Sequence, residues 1–250
     1  MREPWRCVGM DDGCTSLERK AELDAYSREV YSLGIDKYVE ALCKHRLEGM
    51  KRVVDVGCGS GQWMIAVAKL NPEAEVYGID KDKYLMEHAG KEALERGIAN
   101  CLFINDTYEN LPARFEAFSV DLILCNSVIQ YVDTGRAMCV FARLLKPGGR
   151  LVMFNNHGSG YYLRRLLLDV AHCEIRRALY PLKVILHTLF PKSAFLGRNI
   201  SDRFMTFHEI EAFASREKIA MERIMNEFNH NQPDTFLGFT CIFSCKGTKG

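Results

Sequence analysis

From Lys51 the chain alternates short apolar runs with stretches whose apolar residues recur at helical spacing. The pattern predicts a strand over 51–56, a helix over 61–70 stopped by Asn71-Pro72, and a strand over 75–80. A helix over 82–96 ended by Gly97 and a strand over 101–104 follow. Farther on come a strand over 120–125, a helix over 134–145, the turn Lys146-Pro147-Gly148-Gly149 and a strand over 150–154. Strands and helices in such alternation pack as a parallel sheet covered by helices on both faces.

The flanks depart from this rhythm. Residues 1–14 read as poorly ordered, and 16–47 as a helical prelude broken near Gly34. Thr206 and Glu209 have capping-box spacing before a helix to about Lys218. Two strand-like runs, 219–228 and 236–245, are joined by a polar loop and suit an antiparallel hairpin at the sheet edge. Between the strand at 150–154 and Thr206 lies a stretch longer than the alternation needs. It carries Arg164, Arg165, Arg176, Arg177, Lys183, Lys192 and Arg198 against Asp169 and Glu174, interleaved with Tyr, Leu and Phe. On one continuous helix, Arg165, Asp169, His172 and Arg176 would share a face and Leu163, Leu166, Leu167 and Val170 another. Two readings stand: a lid lying on its own domain, or a basic surface for a membrane or lipid through 161–200.

Length and composition narrow the class. A chain of 250 residues buries one sizeable core, so the expectation is a single domain over 1–250, with 1–47 as a cap and 156–205 as an insertion. A net charge of +1 gives no global attraction to nucleic acid, and DNA is not an expected partner. The ten cysteines form no CxxC pair and no zinc-like spacing, which points to reduced, buried thiols in a cytoplasmic protein and to no metal. Neither a signal-peptide core nor an apolar run long enough to span a membrane is present in these residues. Nothing in the sequence specifies an oligomeric state.

The candidate chemistry begins at Val53-Val54-Asp55-Val56-Gly57-Cys58-Gly59-Ser60-Gly61-Gln62, where a strand ends in three alternating glycines and runs into a helix. Main chain without Cβ lets a ligand lie against it, beside the unpaired N–H groups of the helix start. A dinucleotide fingerprint would need glycine where Gln62 stands, and Asp55 would repel a pyrophosphate while suiting an ammonium group. Asp80 closes the next strand about twenty residues on, where a carboxylate accepts ribose hydroxyls. Each acid also has a plain alternative: Asp55 as a turn residue, Asp80 or Asp106 as a cap.

Taken with Asn105-Asp106-Thr107, with Val120 to Tyr131, and with Leu144-Leu145-Lys146-Pro147-Gly148-Gly149-Arg150, this segment resembles the class I S-adenosylmethionine (SAM) dependent methyltransferases. The resemblance covers roughly 50–155 and implies a Rossmann-like, doubly wound, mostly parallel seven-stranded α/β sheet with SAM as cofactor. It implies cofactor contacts from Gly57, Cys58, Gly59 and Gly61, from Asp55 toward the methionine ammonium, and from Asp80 and the adjoining Lys81. Asp106 and Thr107 would take the adenine, and Asn126 and Ser127 the methionine end. Tyr26 and Tyr31 are either an aromatic lid over that end or amphipathic core, while Trp63 and Met64 read as packing.

Methyl transfer from a sulfonium mainly needs alignment and exclusion of water, so a base is optional. Its candidate is His157, with Tyr131 and His208 as further residues of an acceptor pocket; a solvated loop position is the competing reading of His157. Asn126-Ser127-Val128-Ile129 lacks the Asn/Asp-Pro-Pro-Tyr pattern of enzymes that methylate planar amino groups. The acceptor expected is a small organic molecule, lipophilic if the basic stretch contacts lipid. The alternatives are a non-catalytic SAM-binding regulatory or scaffold subunit, an RNA or protein methyltransferase, and an NAD-dependent oxidoreductase.

Overall fold

The computed structural model describes residues 16–190, 202–226 and 233–250. The expectation for residues 1–14 and the basic positions Lys192 and Arg198 lie outside them. By compactness the chain divides into two units, Met1–Thr107 and Tyr108–Gly250. The seven main strands form one mostly parallel α/β sheet, doubly wound and Rossmann-like, in which a C-terminal pair runs antiparallel.

In the first unit, α1 (Ser16–Ser32) and α2 (Ile35–Lys44) are separated by Gly34 at φ 79°, a left-handed turn that breaks the helix where the sequence suggests. Ile35, Tyr38, Ala41 and Leu42 recur at three- and four-residue spacing and are buried, which fixes the face that α2 turns inward. Strand β1 (Arg52–Val56) pairs in parallel with β2 (Glu75–Asp80), and β2 with β3 (Cys101–Asn105). Helix α3 (Gln62–Leu70) is buried on every position from Gln62 to Ala68, including Trp63 and Met64, so both act as packing. Its stop is built by Asn71, whose amide donates to the Val67 and Leu47 carbonyls at 3.0 Å and accepts from Met50 N–H at 2.9 Å. Helix α4 (Lys83–Glu95) is capped by Asp82, which accepts from Tyr84 and Leu85 N–H.

The second unit holds a short helix α5 (Leu111–Arg114), then β4 (Val120–Asn126), α6 (Thr134–Leu144) and β5 (Leu145–His157), with β4 and β5 parallel. The strand expected over 150–154 is longer at both ends. Pairing starts at Val120↔Leu145, skips, and resumes at Leu122↔Arg150, so Lys146-Pro147-Gly148-Gly149 is a loop folded into the strand rather than a separator before it. Lys146 pins that loop to Asp121 at 2.8 Å. Helix α7 (Ser159–Ala171) and helix α8 (Ile175–Leu189) follow, then α9 (Phe207–Arg216) and β6 (Ile219–Ile224). The single continuous helix assumed for the basic stretch does not form. Cys173 at φ 57° breaks it just after His172, the last position that α7 still holds, so Arg176 does not share a face with Arg165 and Asp169.

The C-terminal run is also shifted. Residues 235–240 make a small hairpin of β7 (Thr235–Phe236) and β8 (Phe239–Thr240), and the long strand is β9 (Ile242–Lys249). The sheet order is β3-β2-β1-β4-β5-β9-β6, so β9 lies between β5 and β6 and β6 forms the edge. Gly158 and Gly160, at the start of α7, let that hairpin close in: a Cβ on them would meet the Thr240 and Phe239 carbonyl oxygens at 2.3 and 2.4 Å.

The capping box at α9 forms as its spacing predicts. Glu209 N–H donates to Thr206 Oγ1 at 3.2 Å, and Thr206 N–H to Glu209 Oε2 at 3.0 Å. Thr206→Ala is expected to cost about 1 kcal/mol. Thermal unfolding reads this as a fall of roughly 2–4 °C in Tm, and an unchanged melt would mean that α9 is held by its buried Ile210 and Ala214 alone.

Candidate functional site

The first unit gathers most of the expected cofactor residues at the carboxyl ends of β1, β2 and β3, where open parallel sheets place ligands. Gly57 and Cys58 N–H donate to the Ile79 carbonyl at 2.7 and 3.1 Å, which stitches the turn to β2. Gly61 caps α3 at φ 84°, and a Cβ there would sit 2.7 Å from that of Ala89, so only glycine fits. Gly59 N–H donates to Asp80 Oδ2 at 2.8 Å, and Asp82 N–H to Asp80 Oδ1 at 2.8 Å. Asp80 is therefore held by main chain on both oxygens, with a lone pair left on each for a further donor. It is not the cap of α4; Asp82 is.

Asp55 lies 1% exposed behind the turn. Burial first, and then the nearby Asp80 carboxylate, push its carboxyl up to about 7, against a Met64 N–H that favours the ionised form. Burial likewise raises Asp80 above the usual carboxylate range, opposed by the Asp82 and Gly59 N–H groups. The exposed Lys81 eases Asp80 slightly, and a positively charged ligand beside these two crowded carboxylates would relieve them further.

The prelude helix α1 is strapped to this turn. Ser27 and Ser60 hydroxyls hydrogen-bond at 2.7 Å, and Tyr31 OH donates to the Ser60 carbonyl. Tyr31 also stacks on His88 and lies under Arg96, so its ring and hydroxyl are engaged in holding the strap. Tyr26 instead lies over the glycines: a Cβ on Gly59 would touch its hydroxyl at 3.7 Å. Burial raises the Tyr26 phenol to about 12, with a Gln62 hydrogen bond opposing and Asp80 and Asp55 adding to the rise. Asp106 closes its own turn by accepting Thr107 N–H at 2.8 Å, and its N–H donates to the Asp80 carbonyl. Lys81 is exposed beside them.

The second unit builds another polar cluster around the ends of β4 and β5. Ser127 and Asn155 both adopt left-handed backbone, at φ 55° and 53°. Ser127 N–H donates to the Phe154 carbonyl and Ser127 Oγ to that of Asn155, while Asn155 Nδ2 donates to Asn126 Oδ1 at 3.0 Å. His157 closes β5, its ring stacked on Tyr161 at 4.1 Å and edge-on to Tyr162 at 6.1 Å. Burial, and then the Arg165 charge, lower His157 to about 3. Its buried Nδ1 and the buried Tyr162 hydroxyl have no hydrogen-bond partner among the described residues. Tyr131 is raised by burial and by Asp202 and Tyr161.

His157 is thus neither the solvated loop residue of one sequence reading nor a ready proton acceptor. Its imidazole stays neutral at physiological pH, and a proton placed on it would be buried beside Arg165. His208 does not join it: its side chain is 91% exposed on the first turn of α9, 3.7 Å from Glu211.

Residues that the sequence did not assign to the site complete the cluster. Arg165 lies 4.9 Å over the Tyr180 ring and 3.9 Å from the buried Asp169, and Tyr180 OH donates to Asp202. Burial opposes the Arg165 charge, but Tyr161, Tyr180 and Asp169 more than offset it. Gln130 is fully buried, its Nε2 donating to the Ser127 carbonyl at 2.9 Å. The one local signal for this cluster was Gly158-Ser159-Gly160, a close-approach pattern before an amphipathic run.

Among the described residues, no group of three or more His, Cys, Asp or Glu is placed to hold a metal ion. The eight described cysteines are free, but only Cys58, Cys125, Cys241 and Cys245 are buried, fewer than expected. No described helix is long and apolar enough to cross a membrane.

A family model described as a methyltransferase domain matches residues 47–171. Among curated proteins, the chain is 35% identical over 111 residues to a ubiquinone biosynthesis O-methyltransferase of Proteus mirabilis, covering 43% of this chain and 44% of that protein. It is 35% identical over 127 residues to ribosomal RNA large subunit methyltransferase G of Streptomyces avermitilis, covering 48% and 32%. The chain thus spans less than half the length of these curated relatives. Among solved structures, magnesium protoporphyrin IX methyltransferase from Synechocystis with bound SAH aligns with a TM-score of 0.55 at 17% identity, covering 99% of this chain and 93% of that one. At that identity the likeness is one of fold.

Proposed function

The chain belongs to the methyltransferase-domain family, and on that premise we propose that it transfers a methyl group from SAM to a small organic, lipophilic acceptor. The observation that carries this is the Asp80 carboxylate, fixed by Gly59 and Asp82 N–H beside a bare glycine turn and a buried, charge-starved Asp55. Those groups fit an adenosine that also bears cations: ribose hydroxyls for Asp80, an ammonium for the Asp55 side, main-chain approach at Gly59. Tyr26 would cover the ligand, and Asp106 and Thr107 would border its ring. When bound, SAM supplies an electrophilic methyl on a sulfonium leaving group.

The acceptor reading rests on the second cluster. Tyr131, Tyr161, Tyr162 and His157 offer aromatic faces and a few polar atoms, the composition of a site for a ring-bearing small molecule. Curated relatives named for ubiquinone and menaquinone methylation support the same class. Relatives named for ribosomal RNA favour a second reading with an RNA acceptor, which a net charge of +1 does not assist.

Incubation with methyl-labelled SAM and fractionated cell extract tests the proposal. Label in an organic-soluble small molecule supports it, and label confined to RNA moves the acceptor to the second reading. Tight SAM binding with no S-adenosylhomocysteine formed from any fraction would mark a non-catalytic subunit. NAD binding in place of SAM would overturn the whole reading.

The chemistry needs alignment more than proton transfer, and His157 fits that division. As a neutral ring with a buried nitrogen it can orient an acceptor hydroxyl by one hydrogen bond, while Tyr161 holds its plane. His157→Phe, which keeps the stack and deletes the nitrogens, is expected to lower kcat about tenfold, the size of one neutral hydrogen bond. The pH–rate profile between 6 and 8 should keep its shape. A parent profile with an ionisation near 6.5 that vanishes in the variant would make His157 a titrating base instead.

A further inference from the structure

Helix α8 buries Ala178, Pro181 and Val184 along its inner side. Its outer side is apolar as well. Ile175, Leu179, Leu182 and Leu189, spaced four, three and seven apart, fall on one stripe and are 61%, 47%, 38% and 57% exposed. Among the described residues, eight of the fourteen exposed large hydrophobics lie within 159–190, on α7, on α8 and at Phe190, which ends α8. Single exposed apolar residues are ordinary, but a contiguous set marks an interaction surface.

Charge selects the partner. Arg176 and Lys183, seven residues apart, stand together on one flank of the stripe and are exposed. The acidic groups of the two helices are engaged locally: Asp169 is buried beside Arg165, and Glu174 pairs with Arg177. We infer that the outer face of α8 docks on an anionic lipid bilayer, the stripe entering the headgroup boundary and the basic flank meeting lipid phosphates. A second copy packed antiparallel fits less well, because that two-fold pairing along the stripe would set the basic flank against itself. The 15-residue helix is about 22 Å long, too short to span a bilayer, so it lies in the plane of the surface. This inference stands on α8 alone and does not require the methyl-transfer reading.

Co-sedimentation of the full chain with phosphatidylglycerol vesicles, beside phosphatidylcholine vesicles, tests it. At low salt at least tenfold stronger partition to phosphatidylglycerol is expected. Leu179→Glu with Leu182→Glu should bring binding down to the phosphatidylcholine level. Arg176→Glu with Lys183→Glu, at exposed polar positions that leave the melt unchanged, should weaken it about tenfold and serves also if the leucine pair impairs folding. Binding to neither vesicle, or phosphatidylglycerol binding that both double variants retain, would overturn the inference. So would a lipid-free dimer, seen by sedimentation velocity, that Leu179→Glu with Leu182→Glu dissociates.

Discussion

Asp55→Asn should yield an unliganded protein that is more stable than the parent above pH 7 and yet binds SAM more weakly. The folded carboxyl is raised to about 7 from an ordinary 3.8, because it is buried and faces Asp80. A raised folded-state value means that the stabilising form is the protonated one. Its contribution is complete below about pH 4 and is lost as pH rises through 7. At one unit per roughly 1.4 kcal/mol, ionising Asp55 in the empty site costs on the order of 4 kcal/mol. The asparagine variant escapes that cost, so the two denaturant stabilities should diverge between pH 4 and 7 and run parallel above. A cationic ligand reverses the balance by pulling the carboxyl back down, so the parent should bind SAM more tightly at pH 8 than at pH 6 and release a proton when it binds at pH 6. Calorimetry in two buffers of different ionisation enthalpy reads that proton. A variant that is destabilised at pH 8, or a parent whose affinity ignores pH, would remove Asp55 from this role.

Asp80→Ala attacks the other carboxylate and should weaken SAM binding by 10- to 100-fold, about 1–3 kcal/mol. Two losses add here. The ribose hydroxyls lose their acceptor, and the Gly59 and Asp82 N–H groups, now pointing at nothing, no longer hold the turn against the end of β2. Asp80→Asn should fall between, since an amide oxygen can serve only one of the two N–H donors. Titration calorimetry at pH 8 measures all three proteins, and affinity within threefold of the parent for the alanine variant would reject the ribose assignment.

The first unit was legible almost residue by residue, because β-branched runs and hard punctuation coincide there. Asn71-Pro72, Gly97 and Gly34 each end an element where the chain shows they must. What spacing could not decide was which of two acids near the end of β2 caps α4, since Asp80 and Asp82 differ only in whether the chain has left the strand. The C-terminal strand was displaced for a related reason. Leu237 and Gly238 both take positive φ and reverse the chain between Phe236 and Phe239. A leucine at the first of those positions hides the turn, so the apolar run read as continuous. The second cluster was the least legible part. His157, Tyr161 and Tyr162 are neighbours in sequence, but Tyr180 and Asp202 join them only through tertiary packing, and no periodicity announces such a meeting.

Ser127 and Asn155 carry a consequence of their own. Each holds a backbone shape that costs a side-chain-bearing residue roughly 1 kcal/mol, and glycine at either would relieve it. Glycine would also erase the hydroxyl and amide that knit these two strand ends together. The rim of the sheet is in that sense a loaded spring held by two small polar latches, and gains in heat resistance sought there would come at the expense of whatever those latches keep in position.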